Sequence, residues 1–164
     1  MSFSKQVSVL FTVVLALVSL QAKANELGDI SFVPLPGQPH DVVYDNTRGL
    51  AYVSNRSLNQ IAVVNVSALS METAINVTTG SGPRGMAISP DGNTLLVTLA
   101  DGSQMGVFNL ETRTQTNTIN LVDISGNQGQ RPNSVDFSAD GTVFYSHNTP
   151  NNPYGKVHKL DLNT

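Results

Sequence analysis

The sequence predicts an all-β protein built from repeated, four-stranded antiparallel units, and three observations support this fold class. A phrase that opens on a proline occurs three times, beginning at Pro39, Pro83 and Pro132. Short runs rich in Val, Ile, Thr and Tyr alternate with turn residues, which is typical of a β-meander. Beyond the first 24 residues, no stretch shows a convincing helical period. The prolines are 44 and 49 residues apart, and this period predicts stacked units such as the blades of a β-propeller.

The first 24 residues have the layout of a secretory signal peptide. Lys5 supplies a positive charge, Val7–Leu20 is a nearly unbroken apolar run, and Ala22–Ala24 is a small-x-small cleavage motif. The apolar run is shorter than the roughly 20 residues that a membrane-spanning helix needs. We therefore expect residues 1–24 to be removed during export from a bacterial cell, which leaves residues 25–164 in the periplasm or secreted. A retained N-terminal anchor is the alternative.

The charge and the cysteine count exclude several classes of protein. Without the leader, the chain carries 7 basic and 12 acidic side chains, and the basic residues are scattered singly. Nucleic-acid binding needs clustered Lys and Arg, so it is not expected. The chain has no cysteine, so it has neither disulfides nor thiolate metal ligands. Sheet packing must therefore stabilise residues 25–164.

The first unit divides into four short strands separated by turns. We predict these strands at residues 41–45, 50–54, 61–66 and 73–78. The second and third units have Asp91-Gly92 and Asp140-Gly141 where the first unit has its first turn. An Asp-Gly pair readily adopts the positive φ angles of a tight hairpin. The same pattern then continues at residues 105–110, 116–122 and 156–162.

The third unit is one strand short, and the N-terminal part of the chain holds a spare one. The run Ile30–Val33 parallels Ile75–Thr78, because each precedes a Gly-x-Pro or Gly-Pro sequence. In propellers, a strand from one terminus often completes the blade at the other. We therefore expect one N-terminal strand followed by groups of four, four and three strands. Together they give about three blades and an incomplete ring.

Three blades cannot close a ring, since propellers typically have about four to eight. We expect the chain to be the N-terminal part of a longer propeller that has further C-terminal blades. Two alternatives remain: a homodimer that forms a six-bladed ring, and an open array of blades.

Three runs resemble a known family, namely Ala51–Asn55, Ile61–Asn65 and Ile88–Gly92. They are similar to the YVTN-type β-propeller repeat of bacterial secreted proteins and of lactonase-like seven-bladed propellers. The resemblance covers residues 30–164, although Leu96–Leu99 lacks the asparagine of the repeat. It implies the fold strongly and the activity weakly, because this repeat occurs in enzymes, carriers and adhesion-like modules.

The residue after each anchor proline is the candidate ligand-binding position. In propellers of this kind, the innermost strand of each blade starts there, beside the central channel. The three positions hold His40, Arg84 and Asn133, and polar side chains at matched positions would converge on one pocket at the channel mouth. The alternative is that they are solvated loop residues.

The remaining polar residues carry weaker predictions. Asp41 and Asp136 lie on innermost strands, where carboxylates could serve acid–base chemistry or hold a hard cation. Asp91 and Asp140 are expected to bond to their own turns, and His158 is expected to face solvent. The three histidines have unrelated spacings, and no nucleophile-elbow, Walker or dinucleotide motif is present. We therefore expect neither a metal site nor a cofactor.

The sequence leaves three functions open. The absence of a catalytic motif favours an exported binding or interaction module with an unknown protein or small-molecule ligand. The resemblance also implies a lactonase-like hydrolase, in which His40 and Arg84 polarise the ester carbonyl and Asp41 activates water. The third hypothesis is that the chain is the propeller part of a periplasmic redox assembly, as in the amine dehydrogenase assemblies that this repeat resembles.

Overall fold

The computed structural model describes residues 31–78, 81–121, 131–149 and 152–162. These residues confirm the all-β class, since they contain strands and turns and no helix. None of the described segments is therefore a helix that could cross a membrane. The strands are β1 (Pro39–Asp45), β2 (Leu50–Asn55), β3 (Gln60–Asn65), β4 (Ser70–Asn76), β5 (Pro83–Ile88), β6 (Thr94–Leu99), β7 (Gln104–Asn109), β8 (Thr114–Asn120), β9 (Arg131–Phe137), β10 (Val143–Thr149) and β11 (Asn152–Leu160).

The strands form three separate antiparallel sheets, as expected for propeller blades. Blade 1 has the order β1-β2-β3-β4, and blade 2 has the order β5-β6-β7-β8. Blade 3 has the order β9-β10-β11 in the described residues. Each sheet is a meander in which consecutive strands pair, so β1, β5 and β9 are the equivalent first strands of their blades.

The strand predicted near the N-terminus is not present where it can be examined. Residues 31–36 have no strand structure, so the prediction of a strand at Ile30–Val33 is wrong for its described part; Ile30 and the predicted leader lie outside the described residues. The prediction relied on similarity to Ile75–Thr78. That segment is itself only partly in a strand, because β4 ends at Asn76.

The fourth strands begin two or three residues earlier than predicted, because the preceding turns are tighter than expected. Asn65 closes the β3–β4 turn by accepting a hydrogen bond from the Ala68 N–H at 2.9 Å on Oδ1. Asn109 does the same for Thr112 at 2.8 Å in the β7–β8 turn. Both turns end on a residue with positive φ, Leu69 at 49° and Arg113 at 55°. Side-chain capping by asparagine stabilises such turns.

The Asp-Gly turns are confirmed in place but differ in geometry from a two-residue hairpin. Gly92 and Gly141 have φ angles of 74° and 85°, whereas Asp91 and Asp140 do not adopt positive φ. The Gly92 N–H donates to the Ser89 oxygen at 2.8 Å, so residues 89–92 form a four-residue turn whose last residue is the glycine. Only the glycine therefore needs the left-handed conformation.

The core lies between the blades and follows the two-residue period of the strands. In β6, Leu95, Val97 and Leu99 pack toward blade 1, whereas Leu96 belongs to the cluster shared with blade 3. The first cluster joins blades 1 and 2 through Tyr52, Ile61, Val63, Met86 and Phe108, among others. The second joins blades 2 and 3 through Ala87, Met105, Val135, Val143 and Tyr145, among others. Blade 2 is thus apolar on both faces.

Candidate functional site

A β-bulge lies at the start of the first strand of each blade, where the sequence placed the candidate residues. In blade 1, His40–Asp41 oppose Ser54 alone. In blade 2, Arg84–Gly85 oppose Thr98 alone. In blade 3, the register shift leaves Asn133 as the extra residue. Bulges redirect side chains relative to the regular ladder. All three candidate side chains therefore lie outside the regular pairing of the first and second strands.

The structure brings two of the three candidate residues into direct contact. The Arg84 Nη1 donates a hydrogen bond to Asn133 Oδ1 at 3.1 Å, which joins blades 2 and 3. The Nε of Arg84 is buried and finds no acceptor among the described residues. His40 is exposed, and no hydrogen bond joins it to this pair in the described part of the chain.

Arg84 differs from three other arginines in having no carboxylate partner in the described residues. Those three form ion pairs: Arg48 with Asp45 at 2.9 Å, Arg56 with Asp101 at 3.2 Å and Arg113 with Glu72 at 2.7 Å. A guanidinium has five N–H donors and stays charged at every accessible pH. Arg84 therefore retains donors that an acceptor oxygen of a ligand can use.

Asp41 links blades 1 and 2. Its Oδ2 accepts a hydrogen bond from the Met86 N–H at 2.8 Å, and its Oδ1 accepts one from the Val42 N–H at 2.9 Å. The Asp41 N–H in turn donates to Ser54 Oγ at 3.0 Å. Each carboxylate oxygen thus binds a backbone N–H, so this arrangement serves interblade packing.

Close backbone approach joins blades 2 and 3 at the equivalent place. A Cβ on Gly85 would lie 2.5 Å from the Asn133 backbone oxygen and 2.6 Å from Ser134 Cα. The Thr98 hydroxyl donates to the Gly85 oxygen at 3.2 Å. A glycine is therefore required here for space, and its absence of a side chain allows Arg84 to reach Asn133.

The loops that enter the first strands lie against polar side chains in blades 1 and 2. The side chain of Asn55 is buried; its Nδ2 donates to the Pro36 oxygen, and its Oδ1 accepts from Gln38 N at 3.2 Å. In blade 2, Asp101 lies against Gly82, where a Cβ would come within 2.2 Å of its Oδ2. The carboxylate of Asp101 also pairs with Arg56 of blade 1 at 3.2 Å.

The Asp-Gly turns lie at the opposite end of the first strands and line a cavity of about 540 Å³. Asp91 and Asp140 bond within their turns as predicted, each to the serine two residues earlier, at 2.5 Å. These hydrogen bonds lower the pKa of both carboxyls, and that of Asp140 to about 2, chiefly through Ser138. Lys159 also lines this cavity. The carboxylates of Asp91 and Asp140 are occupied by their own turns, so these two residues do not form an acid–base pair.

The prediction that His158 faces solvent is wrong. His158 is half-buried, and its Nε2 lies 2.7 Å from the Nε2 of His147. The register explains the difference, because Tyr145 pairs with His158 and His147 pairs with Lys156. Tyr145, His147 and His158 therefore share the face of blade 3 that packs on blade 2. The contact between His147 and His158 depends on the β10–β11 register, which the sequence does not display.

Within the described ranges, no three His, Asp or Glu side chains lie close enough together to hold a metal ion. Asp136, the other carboxylate considered for such a role, is exposed and accepts a bond from the adjacent Phe137 N–H at 2.8 Å. Asp41 and Asp136 therefore do not form a carboxylate pair.

Comparisons with known proteins agree with this architecture. Among solved structures, the periplasmic gluconolactonase of Pseudomonas aeruginosa is 20% identical with a TM-score of 0.56; the match covers 77% of this chain and 42% of that one. A putative 6-phosphogluconolactonase from Bacteroides uniformis is 16% identical with a TM-score of 0.58, covering 80% and 44%. The dihydro-heme d1 dehydrogenase NirN is 16% identical with a TM-score of 0.59, covering 77% and 29%.

These similarities establish the fold, and the chain spans less than half the length of each of these proteins. No curated protein matches the sequence at a significant level. Residues 35–137, more than half of the chain, match the family described as lactonase, 7-bladed beta-propeller. The chain therefore belongs to the lactonase seven-bladed β-propeller family.

Proposed function

We propose that this chain is an exported propeller protein that binds a small ligand with acceptor oxygens at the bulged ends of the first strands. The observation that carries this proposal is the state of Arg84. One of its nitrogens bonds to Asn133 at 3.1 Å, and its Nε is buried with no acceptor among the described residues. A buried donor without a partner costs free energy, which a carboxylate or carbonyl oxygen of a ligand would recover.

Asn133 and His40 complete the proposed site. Asn133 fixes one edge of the guanidinium, so the remaining donors keep a defined direction for planar, two-point recognition of a carboxylate. His40 is exposed on the equivalent bulge of blade 1 and adds a donor or acceptor at the rim.

Binding is tested by calorimetric titration with D-gluconate and with glucono-δ-lactone, which carry the carboxylate and the carbonyl form of one sugar acid. We expect saturable binding that Arg84→Ala reduces by about 10- to 100-fold, which corresponds to a loss of about 1.4–2.8 kcal/mol. The matched control is Arg113→Ala, since Arg113 lies at the opposite end of the blade and pairs with Glu72. Equal binding by both variants would contradict the proposal.

A lactonase-like hydrolase is the second candidate, and the family match favours it. Arg84 and His40 would polarise the lactone carbonyl. Asp41 is poorly suited to activate water, because both of its oxygens accept backbone hydrogen bonds. Hydrolysis of glucono-δ-lactone, followed by pH-stat, would support this candidate if His40→Ala abolished it and Asp41→Asn left it measurable. An unchanged rate in His40→Ala would refute it.

The leader and the cellular location are part of the same proposal. The apolar run and cleavage motif within residues 1–24 support export, and one structural neighbour is a periplasmic protein. N-terminal sequencing of the protein from a periplasmic fraction should begin at Asn25. A chain that retains Met1 or stays with the membrane would support the anchor instead.

The oligomeric state and the redox-assembly hypothesis are both tested in solution. A sedimentation mass of two chains would support the six-bladed homodimer, whereas a single-chain mass would favour further blades supplied by sequence beyond residue 164. The neighbour NirN, a dihydro-heme d1 dehydrogenase, supports membership of a redox assembly. Co-purification with a heme protein from the periplasmic fraction would support it.

A further inference from the structure

The histidine pair of blade 3 lies outside the proposed ligand site and has a geometry of its own. His147 and His158 occupy diagonal positions on β10 and β11, since His147 pairs with Lys156 and His158 pairs with Tyr145. Diagonal neighbours on one face of an antiparallel pair are within reach of long side chains. The two Nε2 atoms meet at 2.7 Å, with ring centroids 4.7 Å apart.

Neighbouring groups hold both rings in place. His147 is only 2% exposed, and the Tyr145 ring stacks on His158 at 5.1 Å with an interplanar angle of 17°. Burial raises the pKa of the Tyr145 phenol, so it acts as a neutral platform. His158 is half-buried, so the pair is not fully enclosed by the protein.

The spacing of the two nitrogens fits metal coordination with a small adjustment. Two imidazole nitrogens at about 2.0 Å from one ion are about 2.9 Å apart in a square-planar site and about 3.3 Å apart in a tetrahedral one. The observed 2.7 Å is nearer the square-planar value. Square-planar or tetragonal geometry with nitrogen ligands is typical of Cu(II) and Ni(II), and Cu(II) binds most strongly in the divalent series.

We propose that His147 and His158 form a two-histidine site for a divalent transition metal ion, with Cu(II) preferred over Zn(II). Without the ion, one Nε2–H donates to the other Nε2. With it, both rings carry their proton on Nδ1 and both Nε2 lone pairs bind the metal, so a neutral pair neither gains nor loses a proton. The remaining coordination positions are taken by water or an added ligand.

The test is titration of the full mature chain, prepared without a polyhistidine tag, with Cu(II) and then Zn(II). We expect one equivalent of Cu(II) to bind, Zn(II) to bind more weakly, and the Cu(II) electron paramagnetic resonance spectrum to show coupling to two imidazole nitrogens. His158→Ala should weaken Cu(II) binding at least as much as loss of an outer-shell partner does, by about 10- to 100-fold or more. The matched control is His40→Ala, which removes the remaining histidine of the chain and should leave Cu(II) binding unchanged.

The control and the spectrum make the proposal refutable whatever the stability of the variants. A Cu(II) spectrum with oxygen ligands only, or with nitrogen coupling that His40→Ala removes, would overturn it. Equal Cu(II) affinity in His158→Ala and the unmodified chain would also overturn it and would leave the pair as a structural hydrogen bond. If circular dichroism shows that His158→Ala is unfolded, His158→Gln supplies the same comparison with the polar contact retained.

Discussion

Replacing Asp41 should reveal how strongly its carboxylate ties blade 1 to blade 2. The β5 bulge leaves the Met86 N–H to be satisfied by Asp41 Oδ2, at 2.8 Å. Met86 is 4% exposed, so water cannot readily replace this acceptor. A hydrogen bond to a charged group contributes about 1.5–3 kcal/mol, and an unsatisfied buried donor costs about as much. We expect Asp41→Ala to lower the free energy of unfolding by about 2 kcal/mol.

Asp136→Ala is the matched control for this prediction. Asp136 accepts a bond from the N–H of the next residue at 2.8 Å, as Asp41 does at 2.9 Å. Asp136 has no bond to a neighbouring blade in the described structure. Its replacement should change the free energy of unfolding by less than about 0.5 kcal/mol, as is usual for exposed positions.

The assay is urea unfolding followed by circular dichroism, with the slope of the transition compared among variants. Asp41→Asn keeps an acceptor oxygen without the charge and should fall between the unmodified chain and Asp41→Ala. Unfolding of Asp41→Ala and Asp136→Ala at the same urea concentration would refute an interblade role for Asp41. The same holds if Asp41→Ala were as stable as the unmodified chain and lost only ligand binding.

Three further predictions concern the contacts between blades and the turns. Gly85→Ala should destabilise the chain by about 2–3 kcal/mol in the same urea assay, because its Cβ would overlap the β9 backbone. The control Gly102→Ala should be nearly neutral, because its Cβ would meet only a flexible glutamine side chain. Arg48→Ala should cost about 1–2 kcal/mol, because Arg48 binds both its own turn and the Gly92 oxygen of blade 2, at 2.8 Å; a melting temperature equal to that of the unmodified chain would contradict this. The Asp140 carboxyl should titrate near pH 2 by NMR, and Ser138→Ala should raise its pKa toward 3.8. The pKa of Asp140 is lower in the folded chain than in the unfolded chain, so its stabilising effect is present above about pH 4 and is lost as the pH falls through about 2. If the pKa of Asp140 were the same in Ser138→Ala as in the unmodified chain, the serine would not be the cause.

The blades could be predicted from sequence because their signals are local. The prolines, the Asp-Gly turns and runs such as Ile61–Asn65 each report on a few adjacent residues. The start of β4 could not be placed, since it depends on the capping of the turn by Asn65 and on the positive φ of Leu69. Leucine gives no local signal for that conformation.

The repeat indicates equivalent positions for the candidate residues, but it does not indicate their contacts. The repeat places His40, Arg84 and Asn133 at equivalent points, and the structure adds that Arg84 and Asn133 bond across two blades 49 residues apart. The interblade bond of Asp41 and the contact of His158 with His147 depend on bulges and strand register. These quantities are set by packing between sheets, which a single sequence does not display.

The bulges at the start of the first strands determine which residues there can be replaced without disturbing the sheet. Each inserts an extra residue where the ladder is already interrupted, so the side chain at that point takes no part in regular pairing with the second strand. Substitution of the exposed His40 should therefore cost little folding free energy, whereas Arg84 and Asn133 also form a hydrogen bond between blades 2 and 3. The neighbouring residues Asp41 and Gly85, which secure one blade to the next, do not share that freedom. In blades 1 and 2, the proposed ligand-contacting position and the residue that secures one blade to the next are therefore adjacent in the chain.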